Sequence, residues 1–326
     1  MRVGIIGCGL IGQKRAALLG KGQLVATADI DPARALMLAD RYGAIAATSW
    51  QALTERDDLD AVIIATSHDS LAEITRVAAI NGKHVLVEKP AARNAAELEP
   101  VIKAVEDAGV QVRVGFNHRY HPAFQKAREL VAQPQFGDLM FIRARYGHGG
   151  RIGYDKEWRA DPVVSGGGEL LDQGMHLIDL SRWFLGDLPH VQGYAGTLYW
   201  DMPVDDNAFM TLRTQKNQVA HLHVTWTEWK NTFSFEIYGR TGKLHIEGLG
   251  GSYGVERLYH YQMLPEMGPP DTTITEYPRG DRSWALEFED FMQDVAQNRR
   301  PSASLYDAYA ALKVVGEVYR QSGYNF

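Results

Sequence analysis
The chain has 326 residues, more than the roughly 250–300 at which one hydrophobic core usually stops growing, so two domains are expected. A hydrophobic fraction of 45% and a charged fraction of 23% exclude wholesale disorder, and 34 basic against 40 acidic residues, a net of −6, argue against a nucleic-acid partner. The single cysteine, Cys8, excludes a disulfide framework, and the absence of a signal-peptide core or an 18-residue apolar run predicts a cytoplasmic protein without a membrane partner.

In the first third, apolar runs at 3–6, 24–28, 61–65, 84–87 and 110–115 alternate with helical stretches at 32–41, 70–80 and 95–108. Short Val/Ile-rich runs, each followed by a helix, are the pattern of a parallel sheet covered on both faces, so a doubly wound α/β domain is predicted. A helix at 122–131 follows. The second half then changes character, with a strand at 138–146, a glycine-rich loop at 147–168 and a helix at 169–185. Alternating strands are predicted at 191–199, 205–214, 219–227, 233–238 and 243–248, and closing helices at 284–298 and 305–320. Within 219–227, Ala220, Leu222, Val224 and Trp226 share one face, while His221 and His223 share the other. The reading is a large, mostly antiparallel open sheet, α+β in class, with the domains divided as 1–119 and 120–326. A ligand cleft is expected where they meet. His221 and His223 lack a third ligand nearby, so no metal site is expected.

Three groups of residues carry chemistry. Gly7, Gly9 and Gly12, with Leu10 and Ile11 between them, follow the first strand and open a helix. Such glycines permit a tight turn and close approach of the backbone to a pyrophosphate, which the helix N-terminus attracts. Asp29 ends the next strand, where a carboxylate accepts hydrogen bonds from both ribose hydroxyls and repels a 2′-phosphate, so NAD is favoured over NADP. The second group is Glu88-Lys89-Pro90, at the carboxyl end of a buried strand. Pro90 disfavours a helical Lys89 and leaves it extended, aimed out of the sheet. The stretch from Gly115 to Pro122, with His118 and Arg119, carries donors to the same rim. The third is the helix after Gly166-Gly167-Gly168, on which Asp172 and His176, four apart, share one face, with Asp179 three further on. An imidazole there suits proton transfer at neutral pH, and a neighbouring carboxylate can orient it.

In this order and spacing, these motifs resemble the glucose-fructose oxidoreductase and inositol dehydrogenase family (Gfo/Idh/MocA) over nearly the whole chain. The resemblance implies an N-terminal Rossmann domain for a nicotinamide cofactor and a C-terminal sheet whose open face packs on another subunit, hence a homodimer or homotetramer. It assigns catalytic roles to Lys89, Asp172 and His176. After Ala65-Thr66, where relatives often carry Pro-Asn and then Leu-His, this chain has Ser67-His68-Asp69-Ser70-Leu71-Ala72, and Thr66, Ser67, His68, Glu88 and Lys89 are expected at the cofactor. His68 either approaches the nicotinamide or starts the next helix. The implied activity is NAD-dependent hydride transfer with a secondary hydroxyl of a sugar, sugar acid, inositol or sugar nucleotide. His148, Arg151, Tyr154 and Arg159, with His118 and Arg119, are expected to contact that carbohydrate-like substrate and could present cations to a carboxylate or phosphate. Competing readings are a non-enzymatic NAD-sensing regulator of the same fold and an NAD-dependent glycoside hydrolase.

Overall fold
A computed structural model describes residues 1–20 and 23–325. Its elements in the first half are β1 (Val3–Ile6), α1 (Leu10–Ala16), β2 (Leu24–Ala28), α2 (Pro32–Tyr42), β3 (Ile45–Ala46), α3 (Trp50–Thr54), β4 (Ala61–Ile64), α4 (His68–Ile80), β5 (His84–Val87), α5 (Ala95–Ala108), β6 (Val112–Val114), α6 (Pro122–Val131) and β7 (Leu139–Gly147). There follow α7 (Pro162–Ser165), α8 (Met175–Leu185), β8 (His190–Gly196), β9 (Asn207–Arg213), β10 (Val219–Thr225), β11 (Thr232–Gly239), β12 (Gly242–Glu247), β13 (Glu256–Gln262), β14 (Asp271–Tyr277), α9 (Ser283–Ala296) and α10 (Leu305–Ser322).

The first of two compact units comprises residues 1–116 and 284–309. Its six strands are parallel, in the order β3-β2-β1-β4-β5-β6. Every residue of β1 and β4 is buried, as a sheet covered on both faces requires. Local signals set the helix ends. Asp31 caps α2 by accepting from the Ala33 amide, and Asn94 caps α5 by accepting from the Glu97 amide. Both helices stop at a left-handed glycine, Gly43 or Gly109. The chain reverses its direction of travel across the sheet between β1 and β4, so their carboxyl ends flank the switch point at which such sheets bind ligands.

The helix predicted at 284–298 is present as α9, but its place differs from the expected division at 119/120. Residues 284–309 belong to the first unit, because α9 buries Phe288 and Phe291 in the core built on Val3, Ile5 and Ile63. The opposing charges reinforce this. Glu287, Asp290 and Asp294 recur along α9 at three- and four-residue steps, on the helix side that meets two buried arginines. Arg15 of α1 pairs with Glu287 (2.7 Å), and Arg113 of β6 pairs with Asp290 (2.8 Å) and Asp294. Removing one partner from a buried pair typically costs about 3–5 kcal/mol, since the other charge stays desolvated. The edge of β6 is also covered, by a hydrogen bond from the Val114 amide to the Ala303 carbonyl.

The second unit comprises residues 117–283 and 310–326. Its eight-stranded sheet runs β14-β13-β12-β11-β7-β10-β9-β8, and only the β7–β10 pair is parallel. Ala220, Leu222, Val224 and Trp226 are buried on one face, as their alternation predicts, and His221 and His223 lie on the other. There His223 stacks on Phe209 and bonds Asn207, and His221 bonds Thr211. β13 and β14 are strands that sequence reading left out. Six of the seven β14 residues are exposed, so no alternation marks it. Among the described residues no helix is long and apolar enough to cross a membrane, and no group of three His, Cys, Asp or Glu is placed to hold a metal.

Burial raises the Glu287 carboxyl from 4.5 to about 7, even though Arg15 beside it opposes the change. A carboxyl held higher in the folded state binds its proton more tightly there. Its stabilising contribution is therefore full below about pH 4.5 and is lost as pH rises through about 7. Between about pH 8 and about pH 5 this group should add on the order of 3 kcal/mol to the unfolding free energy. Glu287→Gln should flatten that part of the profile, whereas parallel denaturant-unfolding profiles for the two proteins would show the proton is not held there.

Candidate active site
The first unit builds one rim from the carboxyl ends of β1, β2, β4 and β5. After β1, Gly7 has φ +91°, and a Cβ there would lie 2.4 Å from the Ala65 carbonyl oxygen. A Cβ on Gly12 would lie 1.9 Å from the Gly7 oxygen, so helix α1 can pack this closely only as glycine. Gly9 differs in kind. Its added Cβ would meet nothing within 4 Å, which leaves open space over the backbone where Leu10 and Ile11 begin α1. Asp29, just past β2, accepts from the Cys8 amide (2.6 Å) and the Asp31 amide (2.9 Å). An ionised carboxylate so held has further lone pairs for ribose hydroxyls. Close approach to an open backbone beside an oriented carboxylate fits a dinucleotide. Cys8 serves as buried filler, its thiol pushed up to about 12 by burial and by Asp29.

Thr66, Ser67 and His68 form the β4–α4 turn on the same rim, where His68 is a buried first residue of α4 and the Ser70 hydroxyl donates to Thr66 Oγ1. Glu88 and Lys89 follow β5, and the Lys89–Pro90 peptide is cis. Lys89 is half-buried, whereas Glu88 is buried with its carboxylate on Arg15 (2.6 Å). The sequence reading has no role for Arg15, although an arginine one turn into the helix behind the glycines was the available signal.

In the second unit, α8 and the turn before it hold the remaining residues. The helix predicted at 169–185 is not uniform. Leu170–Gly174 is a π-helical turn, and regular α-helix starts at Met175. The wider turn alters the four-residue register on which Asp172 and His176 were expected to share a face. Asp172 meets Arg159 (3.1 Å), and Asp179 binds Arg119 through two hydrogen bonds (2.8 and 2.5 Å). His176 is buried with its ring stacked on His118, 3.8 Å between centroids and 24° between planes. His118 in turn lies 3.3 Å from the Tyr146 hydroxyl. The base of the turn is secured by Asp205, whose carboxylate accepts from the Gly168 amide, the Leu170 amide and the Tyr319 hydroxyl. Burial raises the Asp205 carboxyl to about 6.

Arg151 pairs with Glu157 (2.5 Å), so Arg119, Arg151 and Arg159 each already face a carboxylate of their own unit. Burial disfavours the charge on Arg159, but Asp172 beside it outweighs this and raises its pKa. Burial lowers the pKa of His148, whose Nδ1 accepts from the Gly150 amide, so its ring is neutral at pH 7. Tyr154 is buried edge-on to Trp226. Each of these three arginines thus has an acidic partner within its unit, with Arg151 the most exposed of them. Sequence reading also missed Tyr146, Glu169 and Tyr253. Burial, then Tyr253 and Glu169, hold the Tyr146 phenol well above its ordinary value. Glu169 lay in plain view beside the glycine triplet, while the two tyrosines join it only through folding.

Two family models match the chain: the oxidoreductase family with an NAD-binding Rossmann fold over residues 1–116, and the GFO/IDH/MocA C-terminal domain over residues 124–245. The D-xylose 1-dehydrogenase (NADP(+)) 2 of Haloferax volcanii is 36% identical over 327 residues, covering 99% of this chain and 97% of that protein. The inositol 2-dehydrogenase of Rhizobium meliloti is 26% identical over 338 residues, covering 98% and 96%. A solved levoglucosan dehydrogenase in complex with NADH and L-sorbose shares the fold, with a TM-score of 0.87 at 24% identity and coverage of 99% and 97%. The chain therefore belongs to the Gfo/Idh/MocA family of NAD-binding oxidoreductases.

Proposed function
We propose that this protein is an NAD-dependent dehydrogenase acting on a secondary hydroxyl of an uncharged sugar or polyol. The observation that supports the substrate charge is that Arg119, Arg151 and Arg159 each face a carboxylate of the chain, Asp179, Glu157 and Asp172, while His148 beside them is neutral. A carboxylate or phosphate would have to displace one of those pairs. Two relatives are named for D-xylose, an uncharged sugar, and for inositol, an uncharged polyol, which agrees with this reading.

The nicotinamide, when bound, supplies the hydride acceptor. Gly7, Gly9 and Gly12 admit the pyrophosphate to the backbone at the start of α1, and Asp29 receives the ribose hydroxyls and disfavours a 2′-phosphate. His176 accepts the proton of the reacting hydroxyl on its imidazole. Lys89 donates a hydrogen bond to the same oxygen and stabilises the negative charge it gains as the proton departs. Asp172, steadied by Arg159, accepts hydrogen bonds that orient the reacting groups. The open sheet face, which carries Phe141 stacked on Tyr238 and, three strands from Phe141, the exposed Tyr194, forms the contact with a second copy of the chain.

His176→Ala should lower turnover by about 10²–10⁴ and Lys89→Ala by about 10²–10³, with NAD affinity within about threefold of wild type. Near-normal turnover in either variant would remove that residue from the mechanism. In a screen following NAD reduction, neutral aldoses or inositols should exceed the matching uronic acids and sugar phosphates in kcat/KM by about tenfold or more. A preferred anionic substrate would refute the charge assignment while leaving the dehydrogenase reading intact. Light scattering at about 10 μM should return a dimer or tetramer, and a monomer would exclude the sheet contact.

A further inference from the structure
The ion pair behind Glu88 has no part in the chemistry described above, yet it is among the most completely buried charged groups of the first unit. Arg15 is 1% exposed, Glu88 8% and Glu287 0%. Arg15 Nε and Nη2 both reach Glu88 Oε1 (2.8 and 2.6 Å), while its Nη1 reaches Glu287 Oε2 (2.7 Å). The guanidinium also lies over the Trp284 ring, 4.3 Å from its centroid. One planar fork thus ties together α1, the end of β5 and α9. The fit is close enough to constrain the residue after β6 as well, because a Cβ on Gly115 would press on Glu88 Oε2 at 3.0 Å and Arg15 Nη2 at 3.1 Å.

Each arm leads to a different place. α1 begins at the glycine turn, so Arg15 is tied through six residues of chain to Gly9. Glu88 immediately precedes Lys89, and its backbone is fixed on both sides: its amide donates to the Ile64 carbonyl (2.9 Å) and its carbonyl accepts from the Ala91 amide (3.0 Å). α9 is in turn anchored by Asp290 and Asp294 on Arg113.

We infer that Arg15 and Glu287 are positioning residues for Lys89: with Glu88 they form a clamp that holds the Lys89 backbone in fixed relation to the glycine turn at the start of α1. Misplacing a catalytic donor by a fraction of an ångström to an ångström costs turnover without costing cofactor affinity, which is the signature such a clamp should leave. The inference rests on the role proposed for Lys89, and its primary test is independent of that role.

Hydrogen–deuterium exchange on the nucleotide-free protein would compare wild type with Arg15→Lys, which keeps the charge but not the fork, and with Glu88→Gln, which leaves Arg15 opposed by Glu287. The amides of Glu88, Lys89 and Ala91 should exchange about tenfold faster in both variants, with the rest of the first unit unchanged. Turnover should fall about tenfold, and the NAD dissociation constant should stay within about threefold. Wild-type exchange at these amides in both variants would overturn the clamp, as would a loss of NAD affinity in step with turnover. If Arg15→Lys does not fold, Glu88→Gln decides by the same criteria. If Lys89→Ala retains turnover, the catalytic reading falls, and the exchange data still decide whether the clamp exists.

Discussion
Burying a guanidinium in this fold is tolerable only where a carboxylate meets it. Desolvation of an ion costs several kcal/mol even after relaxation, so every arginine taken into the interior dictates the position of an acid. Arg15 and Arg113 lie within the first unit and recruit Glu287, Asp290 and Asp294 from a helix far later in the chain, at Ser283–Ala296. That demand, together with Phe288 and Phe291, is why α9 returns to the nucleotide-binding unit instead of closing the second one. The same rule operates in the second unit, where the buried Arg119 is taken up by Asp179.

The pairing rule also shapes the site's chemistry. In the loop at 147–168, Arg151 meets Glu157 and Arg159 meets Asp172, so the arginines tie the loop to acids of the same unit. Backbone amides obey a parallel requirement. The turn from Gly168 into α8 approaches so closely that a Cβ at Gly168 would sit 1.9 Å from the Asp205 carbonyl oxygen, and the Asp205 carboxylate accepts from two amides of that turn. The neighbouring Asp206 does likewise for the amides of Leu198, Tyr199 and Trp200. Two adjacent buried aspartates thus secure two loops. The geometry of Asp172 depends on the first of them.

Much of this was readable along the chain. The runs at 3–6, 24–28 and 84–87 coincide with β1, β2 and β5, because a strand buried on both faces must be continuously apolar. Helices α2 and α5 begin at Asp or Asn and end at Gly, signals that act over a few residues. The strand at 219–225 shows clean alternation because one of its faces is buried and the other open. β14 escaped because neither of its faces is buried, and β3 because it has only two residues. The π-helical turn was invisible for a different reason: nothing in Leu170–Gly174 distinguishes a five-residue from a four-residue hydrogen-bond step.

The sequence by itself determined the two kinds of sheet, the glycine turn with Asp29, and the residue types Lys89, Asp172 and His176, since these follow from periodicity, chain stiffness and side-chain chemistry within short windows. Only the tertiary structure decided which partner each charge would take. Arg15 and Glu287 are 272 positions apart, and His118 and His176 are 58 apart. No local pattern encodes such a pairing. It is selected by the cost of leaving a buried charge or polar ring without a partner, and that cost exists only once the chain has folded and excluded water.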